Sequence, residues 1–316
     1  MPVTIRDIAK QSNLSHTTVS RILNNRDAIN IPAATRSRVR SVAEEMGYRP
    51  NANARALATG RTYLVALQLF RVDSPFCASV ARTLQSLAWH DGYEVLTHEF
   101  DGRENSLRSV VDGVLVLDRL QSVPPANPTT PCVSLGSFYD ETGDYVGVDL
   151  EGASREILHH FLQAGRRRIA FVARDQHEIT DGRRIAYSEV LRMAGLTEEF
   201  VFLPENTRSH GRRCFAEYAD KHGIPDALFC VNDEVAVGCF RALRDRGLRV
   251  PEDVALVGCD GTEEGQYHDP PLTTIAQPIE EMCRLAWEFL KQRMANPDAT
   301  WQQTTLSANL RLGGSH

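Results

Sequence analysis

From Thr4 to Gly47, apolar side chains recur at helical spacing in three short bursts. Ile5, Ile8 and Ala9 form one face, Val19, Ile22 and Leu23 a second, and Val39, Val42, Ala43 and Met46 a third. Recurrence at three and four residues marks amphipathic helices. Thr4, with Asp7 three residues on, reads as a reciprocal cap for the first. Ser12-Asn13 breaks the pattern, and Ser15 restarts it as an N-cap. Pro32 stands at the start of the third helix and Gly47 at its end. Two short helices joined by a tight turn and braced by a third predict a helix-turn-helix.

The stretch YRPNANARALATGRT, residues 48–62, follows. Pro50 ends regular structure before it. Asn51 to Thr59 is patterned as a helix, yet it is too short to be stable alone in water. Leu57 is its one large apolar residue. Such a segment suits a hinge that folds on DNA and wedges a base step from the minor groove; a plain linker is the other reading.

From Tyr63 the pattern changes. YLVALQLF, YEVLTHEF, GVLVLD, PCVSLGS, RIAFVAR, ALFCVND and DVALVGCDG read as buried strands. Helical patterns fill 76–90, 151–164, 182–194, 208–222, 233–247 and 279–294. Alternation of this kind predicts an α/β body of doubly wound parallel sheets. Such sheets bind ligands beyond the carboxyl ends of their strands. Asn232, Asp233 and Asp260 stand at strand ends, and Arg183 opens a helix in DGRR. An arginine, an amide and a carboxylate converging there suit a polyhydroxylated ligand, because together they supply both donors and acceptors. Each also has a structural reading: Asn232 and Asp233 as helix caps, Asp260 as a turn residue, Arg183 on a solvated face.

Charge sharpens the division between the two parts. The whole chain carries −6, but up to Arg61 ten basic residues face four acidic ones, leaving the head at +6. A basic head on an acidic body implies a polyanion partner for the head alone. In a helix-turn-helix the N-terminal residues of the second helix meet base edges. His16 and Thr17 occupy that position, with Thr18, Ser20 and Arg21 beside them, and short hydroxyls bond phosphates without holding a helix off the duplex. The seven cysteines form no CxxC and mostly lie in apolar runs, which predicts inert core thiols. No apolar run approaches the length of a membrane span, and MPVTIRDIAK has no apolar leader. GxxxxGK[ST], HExxH and GxSxG are all missing, so neither an enzyme nor a cofactor is expected.

VTIRDIAKQSNLSHTTVSRILN and TRSRVRSVAEEMGYRPNANARALATGRT resemble the head of the LacI/GalR family of bacterial transcription repressors. The elements T-I-x-D-I-A, T-V-S-R, G-Y-x-P-N and A-x-x-L-x-T-G follow in that family's order and spacing. The resemblance implies DNA contacts at Thr4, Ser15, His16, Thr17, Thr18, Ser20, Arg21, Asn24, Asn51, Ala54 and Leu57. His16 and Thr17 would be the variable base readers, and Leu57 would pry open the central step of a palindrome. The loop NNRDAINIPAAT is slightly longer than in most relatives.

DALFCVNDEVAVGCFRALRDRGLRVPEDVALVGCDGTEEGQYHDPPLTTIAQP is similar to the family's body. That implies a two-lobed, periplasmic-binding-protein-like architecture with a small effector between the lobes. Effector contacts are implied at Arg183, Asn232 and Asp260, and from the first lobe at Ser74 and Phe76 beside Asp73. Tyr187 anchors the choice of Arg183, with Arg184 as its alternative. Asn206 stands where relatives often place a stacking aromatic, which implies a more polar pocket face. A shortened run from Glu99 to Asp112, with GVDLEGASREI and DGRRIAYSEV, resembles the evolved-β-galactosidase repressor branch, favouring a sugar such as a galactoside over a purine. The expected domains are 1–49 (head), 50–61 (hinge helix) and 62–316 (body). In the body, the N-lobe is expected at about 62–148 and 277–302 and the C-lobe at about 149–276 and 303–316, with crossovers near 147–149, 275–278 and 300–304. Expected partners are duplex operator DNA, a sugar and a second copy of the chain, since no leucine heptad follows Leu306 to build a tetramer. The expected location is the cytoplasm, at the nucleoid and without a membrane.

Overall fold

The structure, a computed structural model, describes residues 3–23, 31–49, 56–57, 59–99, 110–118, 130–138, 142–174 and 181–316. Two compact units divide the chain, Met1–Thr62 and Tyr63–His316.

In the first unit, α1 (Ile5–Ser12), α2 (His16–Leu23) and α3 (Ala33–Glu45) enclose a small core of Ile8, Ala9, Val19, Ile22, Val39 and Ala43. These are the apolar positions whose spacing marked the helices. Thr4 donates to Asp7 Oδ2 from its backbone N–H at 2.9 Å and from its hydroxyl at 2.7 Å. Asn13 turns the chain after α1 with φ of 53°, and its N–H closes onto α1 carbonyls. Gly47, at φ of 65°, ends α3 in the left-handed conformation that glycine adopts without a Cβ penalty. Arg38 Nη2 donates to the Ser12 carbonyl at 3.1 Å, tying α3 to the end of α1.

The second unit holds two six-stranded sheets. Its first lobe contains β1 (Leu64–Leu69), α4 (Pro75–His90), β2 (Glu94–Glu99), β3 (Gly113–Leu117), β4 (Cys132–Gly136) and β5 (Asp144–Asp149). Its second lobe contains α5 (Glu151–Gln163), β6 (Ile169–Arg174), α6 (Gly182–Met193), β7 (Glu199–Leu203), α7 (Arg208–His222), β8 (Ala227–Cys230), α8 (Asp233–Asp245), β9 (Ala255–Asp260) and β10 (Thr273–Ala276). The chain then returns through α9 (Ile279–Ala295) and β11 (Gln303–Ser307) before β12 (Asn309–Arg311).

The sheet orders are β11-β5-β4-β3-β1-β2 and β12-β10-β9-β8-β6-β7. All pairings are parallel except β12 against β10. Strand order therefore reverses between β1 and β3 in one lobe and between β6 and β8 in the other, the crevices where such sheets hold ligands.

The lobe boundaries need one correction. The sequence pattern places residues 303–307 in the C-lobe after a crossover near 300–304; instead β11 pairs in parallel with β5 across Gln303–Ser307, and the last crossing falls at Ala308. The alternating exposure of QTTLS explains the error, because an edge strand of threonines carries little apolar signal. The other crossings fall at Leu150 and at Gln277–Pro278. Strands β5, β7, β10 and β12 were also not anticipated. Buried Thr273 and Thr274 disguise β10, and β12 spans three residues. All seven cysteines are free, and burial pushes the Cys77 and Cys283 thiols up to about 12, as expected of inert core groups.

Candidate functional site

Two surfaces carry the expected residues, one in each unit. On the head, Val19 and Ile22 point α2 into the core, so the opposite face projects outward. Ser15, His16, Thr17 and Arg21 are exposed there, with Thr18 and Ser20 half-buried beside them. Ser15 caps the helix: the Thr18 N–H donates to its Oγ at 3.1 Å, and the two hydroxyl oxygens lie 2.8 Å apart. Thr4 is exposed at the start of α1, and its hydroxyl holds the Asp7 carboxyl below the usual carboxylate range. Asn24, Asn51 and Ala54 lie outside the described residues, as does most of the longer loop before α3. Leu57 is 89% exposed, in a turn closed by the Gly60 N–H on the Ala56 carbonyl at 2.8 Å.

In the body, a cavity of about 620 Å³ lies between the lobes, at the carboxyl ends of the strands. Asp118 follows β3, Asn232 follows β8, Asp260 ends β9 and Arg183 enters from the first turn of α6. Arg183 is buried, and Asp181 grips it through Nε and Nη2 at 2.9 and 2.8 Å. Burial disfavours its charge, but the Asp181 carboxylate outweighs that and keeps it protonated. Arg184 instead lies over the Phe200 ring, 5.2 Å from its centroid. Tyr187, the anchor for this choice, is buried and donates to the Ile169 carbonyl at 2.8 Å.

Asn232 performs two tasks. Its Oδ1 caps α8 by accepting the Val235 N–H at 2.8 Å, and its Nδ2 is directed at the Asn206 carbonyl, 3.4 Å away. Asp233 points away from the cavity, accepting from the hydroxyls of Thr262 at 2.8 Å and Thr274 at 2.6 Å, and burial raises its pKa. Asp260 stands at φ of 116°, a strained conformation for a residue with a side chain. Its Oδ1 accepts from Gln277 Nε2 at 3.0 Å. Burial, then the nearby Asp233 carboxylate, pushes the Asp260 pKa well above the usual range.

Asp118 and Gln277 belong to the same cavity floor, and neither was anticipated. Asp118 Oδ1 accepts the N–H groups of Ser137 at 2.7 Å and Phe138 at 3.1 Å, while burial raises its pKa against those bonds. Its place directly after the run GVLVL was the available signal, since the strand-end rule that selected Asp260 applies equally to it. Among the described residues, no donor meets the second oxygen of Asp118, the second oxygen of Asp260 or Oε1 of Gln277.

The first-lobe expectations divide. Phe76 lines the cavity from the first turn of α4, with Asp73 at the rim. Ser74 does not line it, because it is buried as the residue that starts α4. Asn206 lines the cavity too, with Oδ1 accepting the Arg174 N–H at 2.7 Å. The pocket face beside it is nonetheless aromatic: Phe200 and Phe202 stack with centroids 5.5 Å apart. Strand β7 supplies those rings, and its existence was not legible from the pattern.

Residues 4–51 match the model described as bacterial regulatory proteins, lacI family. Residues 158–316 match the periplasmic binding protein-like domain. The HTH-type transcriptional regulator DegA of Bacillus subtilis (strain 168) is 30% identical over 301 residues, covering 89% of this chain and 88% of that protein. Catabolite control protein A of Staphylococcus xylosus is 28% identical over 331 residues, covering 100% of this chain and 99% of that one. Among solved structures, a complex of the transcriptional regulator CelR with cellobiose superposes with a TM-score of 0.70 at 27% identity, covering 99% of this chain and 100% of that chain. No described helix is long and apolar enough to cross a membrane. A helix-turn-helix head joined to a two-lobed body, with these relatives along its whole length, makes this chain a transcriptional regulator rather than an enzyme, and a member of the LacI family.

Proposed function

We propose that the chain is a repressor that binds a palindromic operator as a homodimer and is released by a neutral sugar bound between its lobes. The observation that carries the ligand class is the cavity floor, where three acceptor oxygens on Asp118, Asp260 and Gln277 lack donors among the described residues. Gln277 Oε1 is buried, and a buried acceptor without a partner is costly; hydroxyl groups are the donors that fit it and the two carboxylate oxygens beside it. Two of the four arginines that line the cavity, Arg71 and Arg183, are already ion-paired with Glu234 and Asp181, which favours a neutral sugar over a phosphorylated or carboxylated one. Aromatic rings at Phe138, Phe200 and Phe202 offer apolar faces to a sugar ring. Cellobiose bound to a relative supports a sugar, and a galactoside is the first candidate from the shortened segment after Glu99.

Ser15, His16, Thr17, Thr18, Ser20 and Arg21 would meet the major groove, with Thr4 and Asn24 on its flank. Asn51, Ala54 and Leu57 would belong to a hinge that orders on the minor groove. The cytoplasm, at the nucleoid, is where such a protein would work. A sugar shifts operator affinity only through unequal binding to the two body states.

The test is operator binding by fluorescence anisotropy, using palindromes from the protein's own genome and a panel of galactose, lactose, cellobiose and their phosphates. Release by a neutral sugar and not by its phosphate is expected. Release by phosphates alone would overturn the ligand class.

A further inference from the structure

Arg71 leaves the carboxyl end of β1 in the first lobe and reaches the second. Its Nε donates to Asp73 Oδ1 at 2.6 Å within its own lobe. Its Nη1 donates to the Asn206 carbonyl at 3.0 Å, and its Nη2 donates to Glu234 Oε2 at 2.5 Å, both in the second lobe. Glu234 sits in the first turn of α8 with its side chain 10% exposed. Its other oxygen lies 3.4 Å from Arg208 Nε, and Arg208 Nη2 meets Glu264 Oε2 at 2.6 Å. Charges of alternating sign thus run from the first lobe into the second. The Asn206 carbonyl that accepts from Arg71 also faces Asn232 Nδ2, so the crossing touches the cavity floor.

We infer that Arg71 is a clasp that holds the two lobes together across the cavity mouth, with Glu234 as its main counterpart. The reason is the carboxylate. Separating the lobes removes the closest cation from a largely buried Glu234 and leaves Arg208 at a longer distance. Removing the nearest partner of a largely buried charge is strongly disfavoured. The guanidinium suits the task because its rigid planar fork fixes donors toward all three acceptors, whereas an ammonium is a compact point charge with freely rotating donors. The clasp sets the fraction of closed body present before any ligand arrives. A ligand that requires the closed form binds with an apparent affinity scaled by that fraction. The inference concerns lobe closure, so it stands or falls separately from the identity of the ligand.

Hydrogen exchange on the full chain without ligand tests it. Arg71→Ala is expected to speed exchange about tenfold at the start of α8, residues 234–237, in the opposite lobe. Glu234→Gln is expected to do the same at residues 72–78 in the first lobe. The double substitution should add nothing beyond the larger single effect at either segment, because both singles already remove the Arg71–Glu234 pair. Residues 113–115 of β3, which do not line the cavity, should keep their protection in each variant and so report an intact fold. Faster exchange confined to the lobe that carries each substitution, or additive effects in the pair, would overturn the clasp.

Discussion

A Cβ placed on Gly136 would lie 2.3 Å from Oδ1 of Asp118. The glycine, at φ of 110°, ends β4 beside the carboxylate that follows β3. Its missing side chain is what lets Asp118 accept the backbone donors of Ser137 and Phe138 while lining the cavity. Gly136→Ala should therefore displace Asp118, weakening sugar response by at least tenfold while leaving operator affinity within about twofold, since a backbone near φ of +110° already disfavours alanine. Parallel sugar and operator titrations check this. An unaltered sugar midpoint would remove Asp118 from the ligand contacts.

Asp260 joins function to cost. Its buried carboxyl has a raised pKa, so the folded chain binds its proton more tightly than the unfolded chain does. Stability from this group is fully present below the ordinary value of 3.8 and is lost as pH rises through the raised one. At neutral pH, then, Asp260→Asn should stabilise the ligand-free body by on the order of 1 kcal/mol, roughly 2–4 °C in Tm, and abolish the sugar response. Asparagine also tolerates positive φ better than most residues. Thermal melts at neutral and at acid pH provide the check: the gain should shrink as pH falls.

On the head, Leu57 is 89% exposed, a poor place for a leucine unless a partner covers it. Leu57→Ala should weaken specific operator binding by about 1–3 kcal/mol and leave the melting temperature nearly unchanged. A gel-shift series with equal affinity for both proteins would discard the hinge wedge.

His16 and Arg21 stand on one exposed face but should behave differently. Replacing His16 should change which bases are preferred. Replacing Arg21 should lower affinity across sequences and reduce the salt slope by about one ion if it meets phosphate. Selection from randomised operators, with salt titrations of the winners, separates them.

Much of this molecule was legible because its helices and central strands bury apolar residues at regular spacing. The helix expected over 208–222 is Arg208–His222 in the structure, and Arg183, Asn232 and Asp260 do converge on one cavity. What the chain concealed depends on tertiary placement. Strand β11 pairs with β5 from far along the chain, and its threonines give no periodic signal. Arg71 reads as one loop arginine among many, and only folding brings it to Glu234, 163 residues away. Asn206, standing where relatives often place an aromatic, implies a polar pocket face, but the rings of Phe200 and Phe202 beside it come from β7, a strand the pattern does not reveal.

The central claim is that sugar in the body cavity controls DNA binding by the head. It is tested most directly by titrating a neutral sugar into a complex of the full-length protein with a palindromic operator from its genome, following anisotropy for the native chain and for Asp260→Asn. The account predicts operator release from the native protein and unbroken binding by the variant. Release of both proteins at the same sugar concentration, or of neither by any neutral sugar, would contradict it.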